Sequence, residues 1–232
     1  MVVNIWSDIC DLFFPRYCVV CGRRLVRDEE CICITCLAGL PRTMMHGKKD
    51  NEMEKSFWGR FPVERANAFL YYAKGGDVRK LLYELKYYGN WKIGVFMGKC
   101  MATELSSLSF FEGIDAIVPI PLHPKKICKR GYNQSEMLAK GISMVTGIPM
   151  WKDMLVRSQF TETQTHKSQY ERWMNVNGVF VCKKPQELGG KHILLVDDVL
   201  TTGATLIACA DALKEICDLK ISVLTLALAG ES

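Results

Sequence analysis

Residues 192–206 read HILLVDDVLTTGATL, and the order of chemistries in this stretch decides the fold. Ile193, Leu194, Leu195 and Val196 form an uninterrupted apolar run. Such a run suits a strand buried on both faces of a parallel sheet. Two carboxylates, Asp197 and Asp198, stand at its carboxyl end. Thr201, Thr202, Gly203, Ala204 and Thr205 follow, small and rich in hydroxyls. Beyond them Leu206, Ile207, Ala210, Leu213, Ile216 and Cys217 recur at helical spacing.

Strand, acidic pair, small-residue loop and helix together have a physical use. Backbone N–H groups of a tight loop and a helix N-terminus form an anion site. Threonine hydroxyls add donors, and Gly203 lets the backbone approach a phosphate closely. The carboxylates can accept hydrogen bonds from a ribose diol a short distance away. A phosphate beside a diol is a ribose 5-phosphate. An ordinary strand-to-helix turn would share the apolar run, and a bare TTG triplet would say no more than that. The full series favours the ligand site.

The chain has 232 residues, enough for one α/β domain and a small module. A hydrophobic content of 49% supports a core, and the formal charge of +5 fits a phosphorylated ligand or nucleic acid without proving either. Met1 to Phe14 is apolar, but it lacks a basic leader and is interrupted by Asp8 and Asp11, which argues against a signal peptide. Ile5, Trp6, Ile9, Leu12 and Phe13 fit a short amphipathic helix packed on the rest of the protein. No apolar stretch reaches the ~20 residues of a spanning helix. The expectation is a cytoplasmic protein with no membrane insertion.

Eleven cysteines are an odd number, and with no secretion signal a disulfide framework is not expected. Cys100, Cys128, Cys182, Cys209 and Cys217 are scattered and read as small buried hydrophobes. Residues 18–36, CVVCGRRLVRDEECICITC, differ: Cys18 and Cys21 make one C-x2-C pair, and Cys33 and Cys36 a second. Two such knuckles supply four thiolates for tetrahedral Zn²⁺. The segment is too short to bury a core, so metal would supply its folding energy. Cys31 competes with Cys33 as a ligand, but only Cys33 keeps the C-x2-C spacing with Cys36. A redox dithiol is the other reading, without a thioredoxin-like context to support it. The polar stretch from His46 to Ser56 reads as a linker or exposed loop. It divides an N-terminal helix and four-cysteine zinc-finger module, residues 1–45, from a second domain, residues 57–232.

In the second domain Ala68 to Tyr72 suits a strand, Asp77 opens a helix with Val78, Leu81, Leu82 and Leu85 on one face, and Val95 to Leu105 reads as another helix. Ile114 to Ile120 is a second candidate central strand. It runs into a basic loop, Leu122 to Gln134, whose prolines mark where regular structure ends. A basic loop at a strand's carboxyl end is well placed for a pyrophosphate. Ser135 begins a further helix. Residues 157–180 are a long polar segment that reads as a lid or binding loop, with Arg157, Gln164, Lys167, Ser168, Arg172 and Asn175 as its anion-seeking members, and Val176 to Val181 as a returning strand.

Taken together, these pieces resemble the ComF family, the competence-related phosphoribosyltransferase-like proteins. The similarity spans nearly the whole chain. It rests on the paired C-x2-C module, Leu85-Lys86-Tyr87 with Gly89, Val118-Pro119-Ile120-Pro121-Leu122-His123-Pro124, and Arg130-Gly131-Tyr132-Asn133-Gln134. It continues through Thr161, Gln164, Arg172 and Asn175 to Val196-Asp197-Asp198 and Thr201-Thr202-Gly203-Ala204-Thr205. The resemblance implies an α/β, type I phosphoribosyltransferase fold, a mainly parallel central sheet flanked by helices, with the zinc module attached. It implies phosphoribosyl pyrophosphate (PRPP) bound with Mg²⁺. Asp197 and Asp198 would hold the ribose hydroxyls, and Thr201 to Thr205 the 5-phosphate. Arg130 and Gly131 would face the pyrophosphate, Lys86 would be a further phosphate contact, and residues from Gln164 to Arg172 would close over the ligand. Asp197, Asp198 and Arg130 would be the catalytic groups if the chain is a transferase; the acceptor has no readable signature.

The resemblance also implies a role in natural transformation, in handling incoming single-stranded DNA, with DNA-uptake or helicase proteins as partners. The alternative is a non-catalytic single-stranded DNA factor that kept the fold, with Arg23, Arg24, Lys125, Lys126, Lys129 and Arg130 as cations and Tyr132 or Trp58 for stacking.

Overall fold

A computed structural model describes residues 14–157 and 179–229. Among these the strands, in chain order, are β1 (Ala66–Tyr72), β2 (Ala116–Pro119), β3 (Leu155–Arg157), β4 (Phe180–Cys182), β5 (His192–Leu200) and β6 (Lys220–Ala229). The helices are α1 (Ile34–Ala38), α2 (Glu52–Lys55), α3 (Asp77–Tyr87), α4 (Trp91–Ser106), α5 (Pro124–Arg130), α6 (Gln134–Thr146) and α7 (Ala204–Asp211). Four strands make one sheet in the order β1-β6-β5-β2, with every pairing parallel. Beyond β2, Met150 makes a short parallel bridge to Ile117. The strands β3 and β4 pair antiparallel in a small separate sheet. The expected parallel sheet flanked by helices is present.

The apolar run of β5 explains why the sheet is central. Leu194 and Val196 pack with α3, α4 and α6 on one face, through Leu85, Met101 and Leu138. Ile193 and Leu195 pack on the other face with α7 and α2, through Leu206, Met53 and Phe57. Both faces of β5 are therefore covered, as a continuous hydrophobic run requires. The helices α4 and α6 touch backbone to backbone. A Cβ on Gly98 would lie 2.2 Å from the Leu138 carbonyl oxygen, and one on Gly141 2.2 Å from that of Val95.

Several elements differ from the sequence reading, each for a definable reason. The stretch His46 to Ser56 is not a plain linker. Asn51 caps α2 in a reciprocal box with Glu54, and Met53 and Phe57 beside it are fully buried. The stretch Leu122 to Gln134 contains α5 rather than being all loop. Pro124 occupies the helix start, where its missing N–H is harmless, His123 caps it, and Gly131 ends it at φ 84°. The strand β5 does not stop before the acidic pair but carries both carboxylates to Leu200. The final strand, β6, has no counterpart in the sequence reading. The N-terminal helix, the 158–178 part of the polar loop and the residue Gln164 lie outside the described residues.

Candidate functional site

The site begins where two strands part. The ladder between β2 and β5 runs from Ala116 opposite Ile193 to Pro119 opposite Val196. Ile120 N–H still donates to the Val196 carbonyl at 3.0 Å. Pro119 and Pro121 have no N–H to give, so pairing ends there while β5 continues along β6 to Leu200. The result is a crevice at the carboxyl ends of parallel strands, where open α/β sheets bind ligands. Asp197 and Asp198 lie on β5 just past the point of parting.

These carboxylates are held by side chains and backbone from three elements. Ser135 of α6 donates its hydroxyl to Asp197 Oδ1 at 2.9 Å, and the Asp198 N–H donates to the same oxygen at 2.8 Å. Lys86, in the last turn of α3, sits 3.0 Å from Asp198 Oδ2. Burial, and then the charge of Asp198, push the Asp197 carboxyl up to about 7, against the pull of the Asp198 N–H, Ser135 and Lys86.

The loop after β5 is short. Thr201 and Thr202 are exposed and Gly203 is buried at φ 74°, a left-handed conformation that favours glycine. Phe57 and Leu200 lie 3.6 Å from where its Cβ would be. Helix α7 starts at Ala204, so Ala204 and Thr205 belong to its first turn rather than to the loop. Their N–H groups have no carbonyl partner earlier in the helix. Ala204 N–H meets Thr202 Oγ1 at 3.4 Å.

Arg130 closes α5 on the same side. Its guanidinium donates to Gln134 Oε1 at 2.8 Å and lies over the Tyr87 ring at 5.5 Å. Gln134 is buried and reaches the Leu85 carbonyl at 3.4 Å, and the Tyr132 hydroxyl donates to that carbonyl at 2.5 Å. Asn133 caps α6 through the Ser135 N–H and ties it to the Ile120 carbonyl at 2.8 Å. Lys86, Asp197 and Asp198 thus belong to one network with Ser135, and Arg130 is held beside it through Gln134 and Tyr87, the chain neighbours of Ser135 and Lys86. Ser135 is not among the sequence-predicted site residues. Its signal, a hydroxyl beside a helix-capping Asn in the loop after a candidate strand, gives no hint of which strand end it meets.

The second site is the cysteine cluster. The Sγ atoms of Cys18, Cys21, Cys33 and Cys36 all lie within 4.8 Å of one another. Cys21 and Cys33 are 3.8 Å apart, about the edge of a tetrahedron with metal–sulfur bonds of ~2.3 Å. The set could hold a metal ion. Gly22 turns the first knuckle at φ 75°, and the Cys33 and Cys36 N–H groups donate to Cys18 Sγ and Cys33 Sγ at 3.3 and 3.4 Å. Burial opposes the Cys33 thiolate, but N–H and thiol donors from Cys36, Cys18 and Arg23 outweigh it and bring the thiol down to about 6. Cys31 is outside the cluster, and burial pushes it up to about 11. Buried Glu29 ties the module together by accepting the N–H groups of Val26 and Ile34 at 3.0 and 2.8 Å and pairing with Arg23.

Among the residues considered for a DNA strand, Tyr132 is half-buried and hydrogen-bonded, which removes it as a stacking platform. Trp58 is exposed, with Lys55 over its ring at 6.0 Å. Lys125, Lys126 and Lys129 are exposed on α5. No helix among the described residues is long and apolar enough to cross a membrane.

A phosphoribosyl transferase domain model matches residues 133–232, which include α6, β5, the loop and β6. The chain is 28% identical over 199 residues to the DNA utilization protein YhgH of Escherichia coli strain K12, covering 84% of this chain and 83% of that one. It is 34% identical over 116 residues to competence protein F of Haemophilus influenzae, covering 50% and 51%. It is 27% identical over 200 residues to competence protein ComFC of Bacillus subtilis, covering 86% and 78%. Among solved structures, a glutamine PRPP amidotransferase from B. subtilis superposes with a TM-score of 0.43 at 20% identity, over 62% of this chain and 30% of that one. The matched relatives, the domain model over the carboxylate strand and the preceding cysteine cluster agree in supporting a ComF-family phosphoribosyltransferase-like protein.

Proposed function

We propose that the crevice between β2 and β5 binds PRPP with Mg²⁺, and that the protein acts in the cytoplasm on DNA taken up by the cell. The observation that carries the first part is the meeting of a carboxylate pair with a glycine-turned helix start at one open strand end. Asp197 and Asp198 accept the ribose hydroxyls, and the N–H groups and hydroxyls from Thr201 to Thr205 take the 5-phosphate. Arg130, beside Gly131, faces the pyrophosphate. Lys86, 3.0 Å from Asp198, is placed to exchange that carboxylate for a phosphate oxygen once hydroxyls replace it. Mg²⁺ bound with the ligand supplies charge neutralisation on the pyrophosphate. If the ligand is turned over, the bond from ribose C1 to the pyrophosphate oxygen breaks and its electron pair leaves with pyrophosphate. An acceptor nucleophile then bonds to C1. Arg130 stabilises the departing charge, and the carboxylates stabilise positive charge on the ribose.

The Cys18, Cys21, Cys33 and Cys36 set holds structural Zn²⁺ in the same proposal. Four thiolates leave no open position for catalysis. The competence and DNA-utilization names of the relatives support the role in DNA handling.

Hydrogen exchange tests the site directly. Adding PRPP with Mg²⁺ is expected to slow exchange across residues 199–207, the end of β5 and the start of α7. Unchanged exchange there, with protection elsewhere, would refute the placement.

A further inference from the structure

Ser135, in the first turn of α6, is 4% exposed. A closed ring of hydrogen bonds joining two strand ends sets its place. The Ile120 N–H donates to the Val196 carbonyl at 3.0 Å, and the Ile120 carbonyl accepts from Asn133 Nδ2 at 2.8 Å. Asn133 Oδ1 accepts the Ser135 N–H at 3.1 Å. The Ser135 hydroxyl then closes the ring on Oδ1 of Asp197, the residue after Val196, at 2.9 Å. The Asp198 N–H donates to the same oxygen at 2.8 Å, and Lys86 holds Oδ2 of Asp198 at 3.0 Å. Each carboxylate thus has one oxygen held by the protein, and the second oxygen of each accepts from no described residue. Satisfying a buried hydroxyl would alone account for the Ser135 bond. A backbone carbonyl would meet that need; here the acceptor is an ionisable side chain at an open strand end.

We propose that Ser135 is a positioning residue for the ribose: with the Asp198 N–H it pins Oδ1 of Asp197, so that Oδ2 is presented to a ribose hydroxyl. The role rests on the PRPP reading of the crevice. The terminal torsion of an aspartate is broad, so an unpinned carboxyl would offer either oxygen at many angles. Two donors on one oxygen remove that freedom. A hydroxyl donor also favours the charged form of the carboxyl, which is the form that accepts ligand hydroxyls. The surrounding groups make that help necessary. Asp198, next along β5, opposes ionisation of Asp197, as does burial. Lys86 of α3 favours it, but is paired with Asp198. Cys209 of α7 stays a neutral thiol, because burial and the Asp197 charge push it up against the pull of Arg157. Among the described residues, Ser135 is the one side chain that donates to Asp197.

The test first reads Asp197 itself, without ligand. Carboxyl-carbon NMR of the full chain, made with isotope-labelled aspartate, follows its titration, and Asp197→Asn identifies the signal. Ser135→Ala keeps the helix cap, because Asn133 bonds the backbone N–H rather than the hydroxyl. It is expected to raise the titration midpoint by about one pH unit, an about tenfold loss of ionisation and the effect of one hydrogen bond to a charged group. Ser135→Thr keeps the donor and is expected to keep the parent midpoint. PRPP with Mg²⁺ is then titrated at about pH 6 and about pH 9. Affinity in Ser135→Ala is expected to fall about tenfold at the lower pH, where ionisation limits binding, and less than about threefold at the higher. A hydroxyl that only fills the interior would lower the urea midpoint and leave the carboxyl titration unmoved. An unmoved titration in Ser135→Ala, a Ser135→Thr chain that titrates like the alanine variant, or an equal loss of affinity at both pH values would each overturn the proposal. A shifted titration with no PRPP binding by the parent sinks the PRPP reading, and the ribose role with it. PRPP binding by the parent with an unmoved titration sinks the positioning role alone.

Discussion

Asp197 is a carboxyl held near neutrality at the point where the ribose is proposed to bind. Its raised value means that the folded chain keeps a proton that the unfolded chain has released. Its stability contribution is therefore present below about 4 and is lost as pH rises toward about 7. Ligand binding has the opposite sense, because accepting hydroxyl bonds needs the ionised carboxylate. PRPP affinity is expected to rise between about pH 6 and pH 8. In Asp198→Asn the midpoint of that rise moves to lower pH, since one of the two causes of the shift is gone. Titration calorimetry across that range checks both, and a flat profile or an unmoved midpoint would count against the assignment. At this scale the acidic pair is legible because strand, carboxylates and glycine turn are contiguous in sequence. The grip of Ser135 on Asp197 spans 62 positions, and the mate of a hydroxyl that far away cannot be read from a single chain.

Between elements, α4 and α6 approach each other closely. With carbonyl oxygens 2.2 Å from the positions of added Cβ atoms, Gly98→Ala or Gly141→Ala must push the helices apart. Each is expected to destabilise by about 3 kcal/mol, seen as a lower urea midpoint with an unchanged slope. A change below about 0.5 kcal/mol would mean that the helices are free to separate. Strong periodicity makes α3 and α4 legible, and the unbroken apolar run does the same for the core of β5. Helix α5 is hidden because Pro124 reads as a breaker unless it is recognised as a first-turn residue. The burial of Met53 and Phe57 is hidden because charged neighbours outnumber them in a stretch that otherwise looks solvated.

At the scale of the whole molecule, the cysteine module and the sheet share one interior. Cys18, Val20, Leu25, Ile32 and Leu40 pack in the same cluster as Phe69, Leu81 and Met97, and Lys80 reaches the Val20 carbonyl at 3.1 Å. Chelating the proposed zinc is therefore expected to lower the melting temperature of the entire chain in one transition, with Cys18→Ser doing the same. An early, separate transition that leaves the main one unmoved would show the module to be independent. The paired C-x2-C spacing makes the cluster legible from sequence, but nothing in that spacing reveals that it joins the main core. The central claim is that the crevice beside β5 is a PRPP site. Isothermal titration of PRPP with Mg²⁺ into the full chain, beside an Asp197→Asn/Asp198→Asn variant of matched fold, tests it most directly. The account predicts saturable binding in the parent that is lost in the variant; no binding in the parent, or equal binding in both, would contradict it.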